Sequence, residues 1–337
     1  MNTTTHSANS SHKPKILVAR AIFPEALAKL EEMFEVRSNQ ADKVFTPQEL
    51  QKELSMVEGA LLTGSERIDA QALSQADRLK IVANISVGYN NFDIPAITAA
   101  GVMATNTPDV LTDTTADFGF ALLMAAARRI TESEHWVRAG KWDQWSIVNN
   151  PLGMDLNGTT LGIIGMGRIG KGIARRALGC GMKVIYHNRS RLSAEEEKSY
   201  DATYVSKEDL LRTADHVILV LPYTAENHHT IAAKELSLMK PTAILVNIAR
   251  GGIVDDAALA QALQNRTIFA AGLDVFEGEP KVHPELLKCS NIVLAPHIAS
   301  ATEKTRRAMV DLAIKNLTAA LAGNKPPSLI NAEVFKD

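Results

Sequence analysis

Residues 162–170 read GIIGMGRIG, a Gly-x-Gly-x-x-Gly pattern that closes an apolar run and opens a helical one. Gly165 permits a tight turn, Gly167 lets backbone amides approach a pyrophosphate, and Gly170 lets the helix pack closely on the strand. The first turn of that helix adds unpaired N–H groups and a partial positive charge. This context predicts the phosphate loop of a dinucleotide-binding α/β domain.

Short apolar runs alternate with helical patterns on both sides of the loop, which is typical of parallel sheets covered by helices on both faces. The domain of the loop is predicted to contain six strands, at residues 160–165, 183–188, 216–222, 243–249, 270–276 and 291–297. Four strands are predicted upstream, at residues 15–19, 59–64, 79–86 and 102–106. The fold class is therefore α/β, with two doubly wound parallel-sheet domains.

The segment between the two series has a different pattern. Residues 114–140 have a helical pattern that is apolar nearly all round in its first half, so we expect one long helix, buried between other elements. Residues 141–153 contain Pro, Gly and two Asn, and they predict an irregular excursion.

Composition excludes several classes of protein. A length of 337 residues suits two domains, and a net charge of −2 is no electrostatic footprint for nucleic acid. Only two cysteines are present, which suits a protein of a reducing compartment. No apolar run reaches the roughly 18 residues that a membrane span requires. The polar N-terminus lacks the features of a secretory signal, so residues 1–13 are expected to be a disordered tail and the protein to be cytoplasmic.

The end of the second strand predicts the cofactor. An NAD-binding unit carries an Asp or Glu about 20 residues after the glycine loop, to hold the ribose 2′-hydroxyl. Here the chain reads Asn188, Arg189 and Ser190 instead. Arg189 can pair with a 2′-phosphate and Ser190 can donate to it, whereas an Asp would repel it. We therefore expect NADP, with NADPH preferred; the alternative is an Arg that faces solvent and an enzyme that also uses NAD.

Three side chains that suit carbonyl reduction follow successive predicted strands. They are Arg250, Glu279 and His297, and they belong at the edge of a parallel sheet where ligands bind. His297 can exchange a proton with a carbonyl oxygen, and Arg250 can hold a carboxylate through two parallel hydrogen bonds. Each taken alone has a plainer interpretation, as a solvated Arg, a turn Glu or a structural His. Together they predict hydride transfer to a carbonyl beside a carboxylate.

The adjacent residues His228 and His229 are weaker candidates. Neighbouring side chains are expected to diverge, and no Cys or acid in the local sequence completes a metal set. We therefore predict no metal site.

At this point the signature segments resemble those of the D-isomer-specific 2-hydroxyacid dehydrogenases. The matching segments are GIIGMGRIG, VNIARGGIVDDAAL, AAGLDVFEGEP, APHIASAT, ANISVGYNNFDI and TNTPDVLTDTTADF, and the resemblance covers about residues 14–330. It implies a Rossmann cofactor domain at 113–297, inserted into a flavodoxin-like substrate domain formed by 14–112 and 298–330. It also implies a homodimer, joined through the long helix and the excursion after it.

The resemblance implies roles for individual residues. Arg250, Glu279 and His297 correspond to the catalytic set of the family, and Val87 and Gly88 to its substrate-carboxylate site, together with Arg250 and His297. The cofactor-binding set becomes Thr115, Gly165, Gly167, Arg168, Ile169, Gly170, Asn188, Arg189, Ser190, Ile248, Ala249, Asp274 and Ala299. Ala299 departs from the usual glycine, so we expect a slightly narrower nicotinamide pocket.

The implied activity is NADPH-dependent reduction of small 2-keto acids, such as glyoxylate, hydroxypyruvate and 2-ketogluconate, to the D-2-hydroxy acids. The alternatives are a D-lactate-type or gluconate 2-dehydrogenase that uses NAD or both cofactors. A dinucleotide-sensing corepressor of the same fold is disfavoured by the complete catalytic set. Small-molecule substrates and a second copy of the chain are the expected partners, with no nucleic acid and no membrane.

Overall fold

The computed structural model describes residues 13–335. The predicted tail at 1–13 lies outside these residues, apart from Lys13. The described chain divides into two compact units: one runs to Val110 and resumes at Glu303, and the other is Leu111–Thr302. Neither unit contains, among the described residues, a helix with the length and apolarity needed to cross a bilayer.

The first unit contains a five-stranded parallel sheet. In chain order its elements are β1 (Lys15–Val18), α1 (Pro24–Met33), β2 (Glu35–Ser38), α2 (Pro47–Leu54), β3 (Gly59–Leu62), α3 (Ala70–Leu73), β4 (Ile81–Asn84), α4 (Ile94–Ala99) and β5 (Met103–Thr105). The strand order is β2-β1-β3-β4-β5, which is the flavodoxin-like order. The predicted parallel sheet is confirmed, but β2 is an additional strand. Its sequence, EVRS, has one apolar residue, so this edge strand has no apolar run or alternation by which it could be predicted.

The second unit contains a seven-stranded parallel sheet. Its elements are α5 (Thr112–Ala127), α6 (Ile130–Arg138), β6 (Thr160–Ile164), α7 (Arg168–Gly179), β7 (Lys183–His187), α8 (Ala194–Ser199), β8 (Ala202–Tyr204), α9 (Lys207–Thr213), β9 (His216–Leu219), α10 (Ala233–Leu238), β10 (Ile244–Asn247), α11 (Asp256–Gln264), β11 (Ala270–Leu273) and β12 (Ile292–Leu294). The order is β12-β11-β10-β9-β6-β7-β8, a doubly wound sheet. The prediction of six strands was wrong by one, because β8 has only three residues.

Short connections and one long helix complete the chain. Three 3₁₀ turns span Ala225–Asn227, Leu286–Lys288 and Ala332–Val334. The last helix, α12 (Glu303–Leu321), belongs to the first unit and packs against β3 and β4. It buries Ala313, Ile314 and Leu317 in a cluster with apolar residues of β1, β3 and β4.

The prediction of one helix over 114–140 was wrong. The chain breaks between α5 and α6 at Arg129, whose backbone is left-handed with φ of 51°. The Arg129 side chain donates to Glu132 and, at 3.2 Å, to the carbonyl of Leu152. No Gly or Pro marks this break, so the sequence pattern runs through it. The first of the two helices is buried along much of its length, as predicted.

Candidate active site

Five strands of the second unit end beside the predicted site residues. Gly165 follows β6, Asn188 follows β7, and Asp274 follows β11 directly; Arg250 and His297 come three residues after the ends of β10 and β12. All seven strands are parallel, so these residues belong to one edge of the sheet. That edge is where doubly wound folds bind their ligands.

The glycine loop has the shape that a pyrophosphate needs. Gly165 adopts φ of +105°, and a side chain there would meet the backbone of Val220 at 2.8 Å. A side chain on Gly170 would lie 2.4 Å from the Gly165 carbonyl oxygen. Gly167 instead faces open space, and α7 begins at the next residue. Two glycines therefore allow tight packing and the third leaves room for a phosphate at a helix N-terminus, which fits a bound dinucleotide.

The end of β7 is fastened to this loop. The N–H of Met166 donates to Asn188 Oδ1 at 2.6 Å, and the N–H of Gly165 donates to the carbonyl of His187 at 3.0 Å. Asn188 therefore has a structural role that the sequence did not reveal, beyond its predicted place beside the ribose.

The two arginines after Asn188 have different surroundings. Arg191 donates two hydrogen bonds of 2.8 Å to Glu197, and together with the Tyr186 hydroxyl it lowers the pKa of Glu197 to about 2. Arg189 and Ser190 are exposed, and neither makes a hydrogen bond or ion pair within residues 13–335. The positive charge left for an anionic ligand at this strand end is therefore that of Arg189.

His297 and Glu279 form a hydrogen-bonded pair. His297 Nδ1 lies 2.8 Å from Glu279 Oε2, and the other carboxylate oxygen accepts the N–H of Phe276 at 2.9 Å. Burial opposes the ionisation of Glu279, but the hydrogen bond and charge of His297, the Phe276 N–H and the charge of Arg250 together outweigh burial and hold the pKa of Glu279 below its usual value. Nε2 of His297 makes no hydrogen bond within the described chain, so this nitrogen is available to a substrate.

Asp274 holds the turn that carries His297. Its carboxylate oxygens accept the N–H groups of Ile298 and Ala299, both at 2.8 Å, and its carbonyl accepts the N–H of His297. Burial raises the pKa of Asp274, although both N–H groups favour its charged form. His297 itself has a left-handed backbone, with φ of 54°, which is uncommon for a residue other than glycine. These hydrogen bonds stabilise that conformation. The predicted contact of Asp274 with a cofactor stays a prediction.

Arg250 leaves β10 on a loop that is shaped by Asn247. The buried side chain of Asn247 accepts the N–H of Ala249 at 3.0 Å and donates to the carbonyl of Arg250 at 3.1 Å. Burial lowers the pKa of Arg250 and the negative charge of Glu279 raises it, and a guanidinium keeps its charge in either case. Asn247 was not predicted, because an Asn at a strand end gives no signal that separates it from any turn residue.

The loop after Arg250 packs against the turn that carries Glu279. A side chain on Gly251 would come within 1.7 Å of the carbonyl oxygen of Phe276. The two backbones therefore touch at a position where only glycine fits.

Asp256 is a further residue that the sequence did not single out. It is 5% exposed, and its carboxylate accepts the N–H of Glu277 at 3.1 Å, so it supports the same turn. Burial, opposed by that hydrogen bond, raises the pKa of Asp256 from an ordinary 3.8 to about 6. Because the folded-state pKa is raised, the stability linked to this group is present below about pH 4 and is lost as the pH rises through about 6.

Asp256→Asn tests this linkage. Asparagine keeps an acceptor for the N–H of Glu277 but cannot ionise, so the variant should gain stability relative to the parent as the pH rises. A shift of about two pKa units corresponds to about 3 kcal/mol of unfolding free energy above pH 7. Urea unfolding at pH 4.5 and pH 7.5 measures the gain; equal differences at the two pH values would contradict the assignment.

The prediction that the side chains of His228 and His229 diverge without an acid nearby was wrong. His229 has φ of 50°, which turns its ring back onto that of His228, and the ring centroids are 3.8 Å apart. Glu277 approaches from a distant part of the sequence and lies 3.0 Å from His229 Nε2. A contact across 48 residues and a left-handed backbone are both invisible in the sequence.

The remaining predicted cofactor-binding residues lie in the second unit, and their contact with a cofactor stays a prediction. Thr115 is in the first turn of α5, and its buried hydroxyl has no hydrogen-bond partner among the described residues. Ile248, Ala249 and Ala299 are buried beside strands β10 and β12. Arg168 and Ile169 open α7. An unsatisfied buried hydroxyl is consistent with a bound polar ligand.

Val87 and Gly88 lie in the first unit, on the loop after β4. The side chain of Asn106 donates to the carbonyl of Val87 at 2.8 Å, and that of Asn84 donates to the carbonyl of Gly88 at 3.1 Å. The N–H groups of Val87 and Gly88 donate to no acceptor in the described part of the chain. Backbone N–H groups without a protein acceptor are donors that an anion can use.

Comparison with known proteins identifies the family of this chain. Residues 120–299 match the family described as D-isomer specific 2-hydroxyacid dehydrogenase, NAD binding domain. A glyoxylate reductase from Thermococcus onnurineus is 47% identical over 326 residues, which cover 96% of this chain and 97% of that protein. A glyoxylate reductase from Aeropyrum pernix is 48% identical over 334 residues, which cover 96% of this chain and 98% of that protein.

A solved structure extends the similarity to the fold. It is an NADPH-dependent glyoxylate/hydroxypyruvate reductase from Sinorhizobium meliloti in complex with NADP and malonate, with a TM-score of 0.86 and 36% identity, covering 96% of this chain and 99% of that chain. The family resemblance of the signature segments is thus confirmed. The chain belongs to the D-isomer-specific 2-hydroxyacid dehydrogenase family of oxidoreductases.

Proposed function

We propose that this enzyme reduces small 2-keto acids with NADPH, above all glyoxylate and hydroxypyruvate, and that its chiral products are D-2-hydroxy acids. The observation that carries the proposal is the His297–Glu279 pair, with 2.8 Å between Nδ1 and Oε2, at the sheet edge that also bears Arg250 and the glycine loop. The names of the relatives, glyoxylate reductase, support the substrate class.

The proton step follows from the tautomer of His297. Because Nδ1 faces the Glu279 carboxylate, it carries a proton, and a protonated ring also carries one on Nε2. When bound, NADPH would be the source of the hydride that the carbonyl carbon accepts. His297 Nε2 gives its proton to the carbonyl oxygen, which becomes the hydroxyl of the product. Glu279 stabilises the imidazolium before the transfer and holds the ring orientation throughout.

The substrate carboxylate is assigned to cationic and N–H donors. Arg250 presents a planar guanidinium that can form two parallel hydrogen bonds with a carboxylate. In the first unit, the N–H groups of Val87 and Gly88 stay predicted carboxylate donors, as the family resemblance implies. Fixing the carboxylate orients the neighbouring carbonyl for one face only, which is how the enzyme would make a single isomer of the product.

NADPH is proposed over NADH because of the end of β7. Asn188 carries no charge that would repel a 2′-phosphate, and the exposed Arg189 is free of any described ion pair. The Sinorhizobium reductase, described as NADPH-dependent and bound to NADP, supports the same choice.

A double substitution tests the cofactor preference. Asn188→Asp with Arg189→Ala should favour NADH, because Asp keeps an acceptor for the Met166 N–H and adds a charge that repels the 2′-phosphate. Loss of a charged pair costs about 1.5–3 kcal/mol, so the ratio of kcat/KM for NADPH to that for NADH should fall at least about tenfold. Arg191→Ala is the matched control, since Arg191 is already paired with Glu197. Unchanged preference in the double variant would show that another segment selects the cofactor.

The substrate assignment is tested by comparing kcat/KM for glyoxylate, hydroxypyruvate, pyruvate and 2-ketogluconate, each with NADPH and NADH. Glyoxylate and hydroxypyruvate with NADPH should give the highest values. Preference for pyruvate or 2-ketogluconate would favour a D-lactate-type or gluconate 2-dehydrogenase. Failure to oxidise NADPH with any 2-keto acid would overturn the proposal.

A homodimer in the cytoplasm is part of the same proposal. Residues 141–153 contain no helix or strand, and their large apolar side chains are exposed: Trp142, Trp145, Ile147, Val148 and Leu152. So many exposed apolar side chains in one short segment are typical of a surface that a partner covers. A second copy of the chain is the partner that the family resemblance implies.

A further inference from the structure

A second group of chemically active side chains lies in the second unit, apart from the proposed catalytic pair. It consists of His228, His229 and Glu277, and one donor atom from each residue lies within 4.8 Å of the donors of the other two. The Glu277 carboxylate is 3.0 Å from His229 Nε2 and 3.9 Å from His228 Nε2. A tetrahedral ion with bonds of 2.0–2.2 Å places its ligand atoms about 3.4 Å apart. The measured separations bracket that value.

The other nitrogen of each ring faces an oxygen. His228 Nδ1 lies 3.2 Å from the hydroxyl of Tyr223, and His229 Nδ1 lies 3.9 Å from a carboxylate oxygen of Asp255. Metal-bound histidines in proteins almost always have such a partner on the second nitrogen, because it fixes the tautomer and the orientation of the ring. Here His228 has such a hydrogen-bonded partner in Tyr223, whereas the Asp255 carboxylate lies beyond hydrogen-bond distance of His229 and acts on it by charge alone.

The backbone also holds the donors in place. The N–H of His229 donates to the carbonyl of Gly252 at 2.7 Å, and the N–H of Glu277 donates to Asp256 at 3.1 Å. The left-handed backbone of His229 brings its ring beside that of His228. The two rings are nearly parallel, so one of them turns about its side-chain torsions for both Nε2 lone pairs to meet one ion.

We propose that His228, His229 and Glu277 bind a divalent transition-metal ion, with Zn²⁺ as the representative. Two imidazoles and one carboxylate suit Zn²⁺ better than Mg²⁺ or Ca²⁺, which prefer oxygen ligands. Three protein ligands leave at least one position for water. The side chains of His228 and Glu277 are 42% and 45% exposed, so the ion exchanges with solvent.

The bound ion joins two segments that flank the proposed catalytic groups. Glu277 lies on the turn that carries Glu279, and His229 is hydrogen-bonded to Gly252 in the loop after Arg250. An ion held only by the folded chain stabilises it by mass action. Zn²⁺ should therefore raise the temperature of unfolding.

The test uses the full chain without an affinity tag, freed of metal by a chelator that is then removed. Equilibrium dialysis against ZnCl₂ should give about one tight Zn²⁺ per chain, and calorimetric unfolding should show a higher Tm with ZnCl₂ than without it. Glu277→Gln and His229→Asn should each abolish both effects; asparagine is chosen because it tolerates a left-handed backbone. Tyr223→Phe should weaken binding by about 10-fold to 100-fold.

The matched control is His135→Gln. His135 is an exposed histidine 3.8 Å from Glu134, a surface His–carboxylate pair without a second imidazole, and its loss should leave zinc binding unchanged. Each variant is unfolded without metal first, to establish that it is folded. Zinc binding that is equal in the parent and in folded Glu277→Gln, or that disappears in His135→Gln, would overturn the proposal. Because dialysis requires no turnover, the result is independent of the proposed reductase activity.

Discussion

His297→Asn is expected to lower kcat/KM for glyoxylate by about 10²-fold to 10⁴-fold, the range that a general acid contributes. The imidazole that is paired with Glu279 at 2.8 Å would be lost, and with it the proton for the carbonyl oxygen. Asparagine accepts the left-handed backbone of residue 297 better than alanine does, so the turn held by Asp274 should persist. Steady-state kinetics with NADPH and glyoxylate measure the loss.

Two comparisons make this result specific. The dissociation constant of NADPH, measured by fluorescence titration, should be unchanged, because the defect lies in the proton step. Glu279→Gln should reduce turnover less than His297→Asn does, since the ring keeps its Nε2. If His297→Asn bound NADPH with the affinity of the parent and kept kcat/KM within threefold of it, His297 would be excluded as the acid. A threefold change corresponds to only about 0.6 kcal/mol.

Arg250→Gln is expected to have the second largest effect. Removing one member of a buried, hydrogen-bonded charge pair costs about 2–5 kcal/mol, so kcat/KM for glyoxylate should fall by about 30-fold to 5,000-fold. The fold-decrease in kcat/KM for glyoxylate should exceed the fold-decrease in affinity for NADPH, because Arg250 is proposed to contact the substrate carboxylate. Glutamine retains a planar donor group, while the hydrogen bond of the guanidinium to the carbonyl of Ala249 is one of the contacts that the substitution removes.

Arg250→Lys separates charge from shape. Lysine restores the positive charge but not the two parallel hydrogen bonds, so it should recover part of the activity lost in Arg250→Gln. Full recovery would mean that charge alone matters. Near-normal kcat/KM in Arg250→Gln would remove the residue from the proposed substrate site.

Sequence reasoning located the proposed site because parallel strands align their carboxyl ends. Once the strands ending near Asn247, Leu273 and Leu294 were recognised, Arg250, Glu279 and His297 had to lie along one edge. The hydrogen bonds that position these three side chains could not be predicted from the strand pattern. The hydrogen bonds of Asp274 and Asn247 depend on turn conformations, and the buried Asp256 reaches Glu277 across 21 residues.

The structural features that the sequence predictions missed share a physical cause. Short edge strands such as β2 and β8 bury little, so their sequences carry no alternation. The break at Arg129 is stabilised by a local ion pair with Glu132 and a tertiary hydrogen bond to the carbonyl of Leu152, while the local apolar pattern favours a continuous helix. The stacked pair His228 and His229 depends on one left-handed residue. Pattern reasoning detects what many residues share and misses what a single residue does.

The hydrogen bond from the Met166 N–H to Asn188 limits how this enzyme could be re-engineered. The side chain at residue 188 supplies an acceptor oxygen to the phosphate loop, whatever nucleotide is bound. A saturation library at this position should therefore yield few folded, active clones beyond Asn and Asp. Asn and Asp differ by one negative charge. Directed evolution toward a new coenzyme would therefore have two main choices at residue 188. Smaller changes in the preference between NADPH and NADH would have to come from substitutions at neighbouring residues.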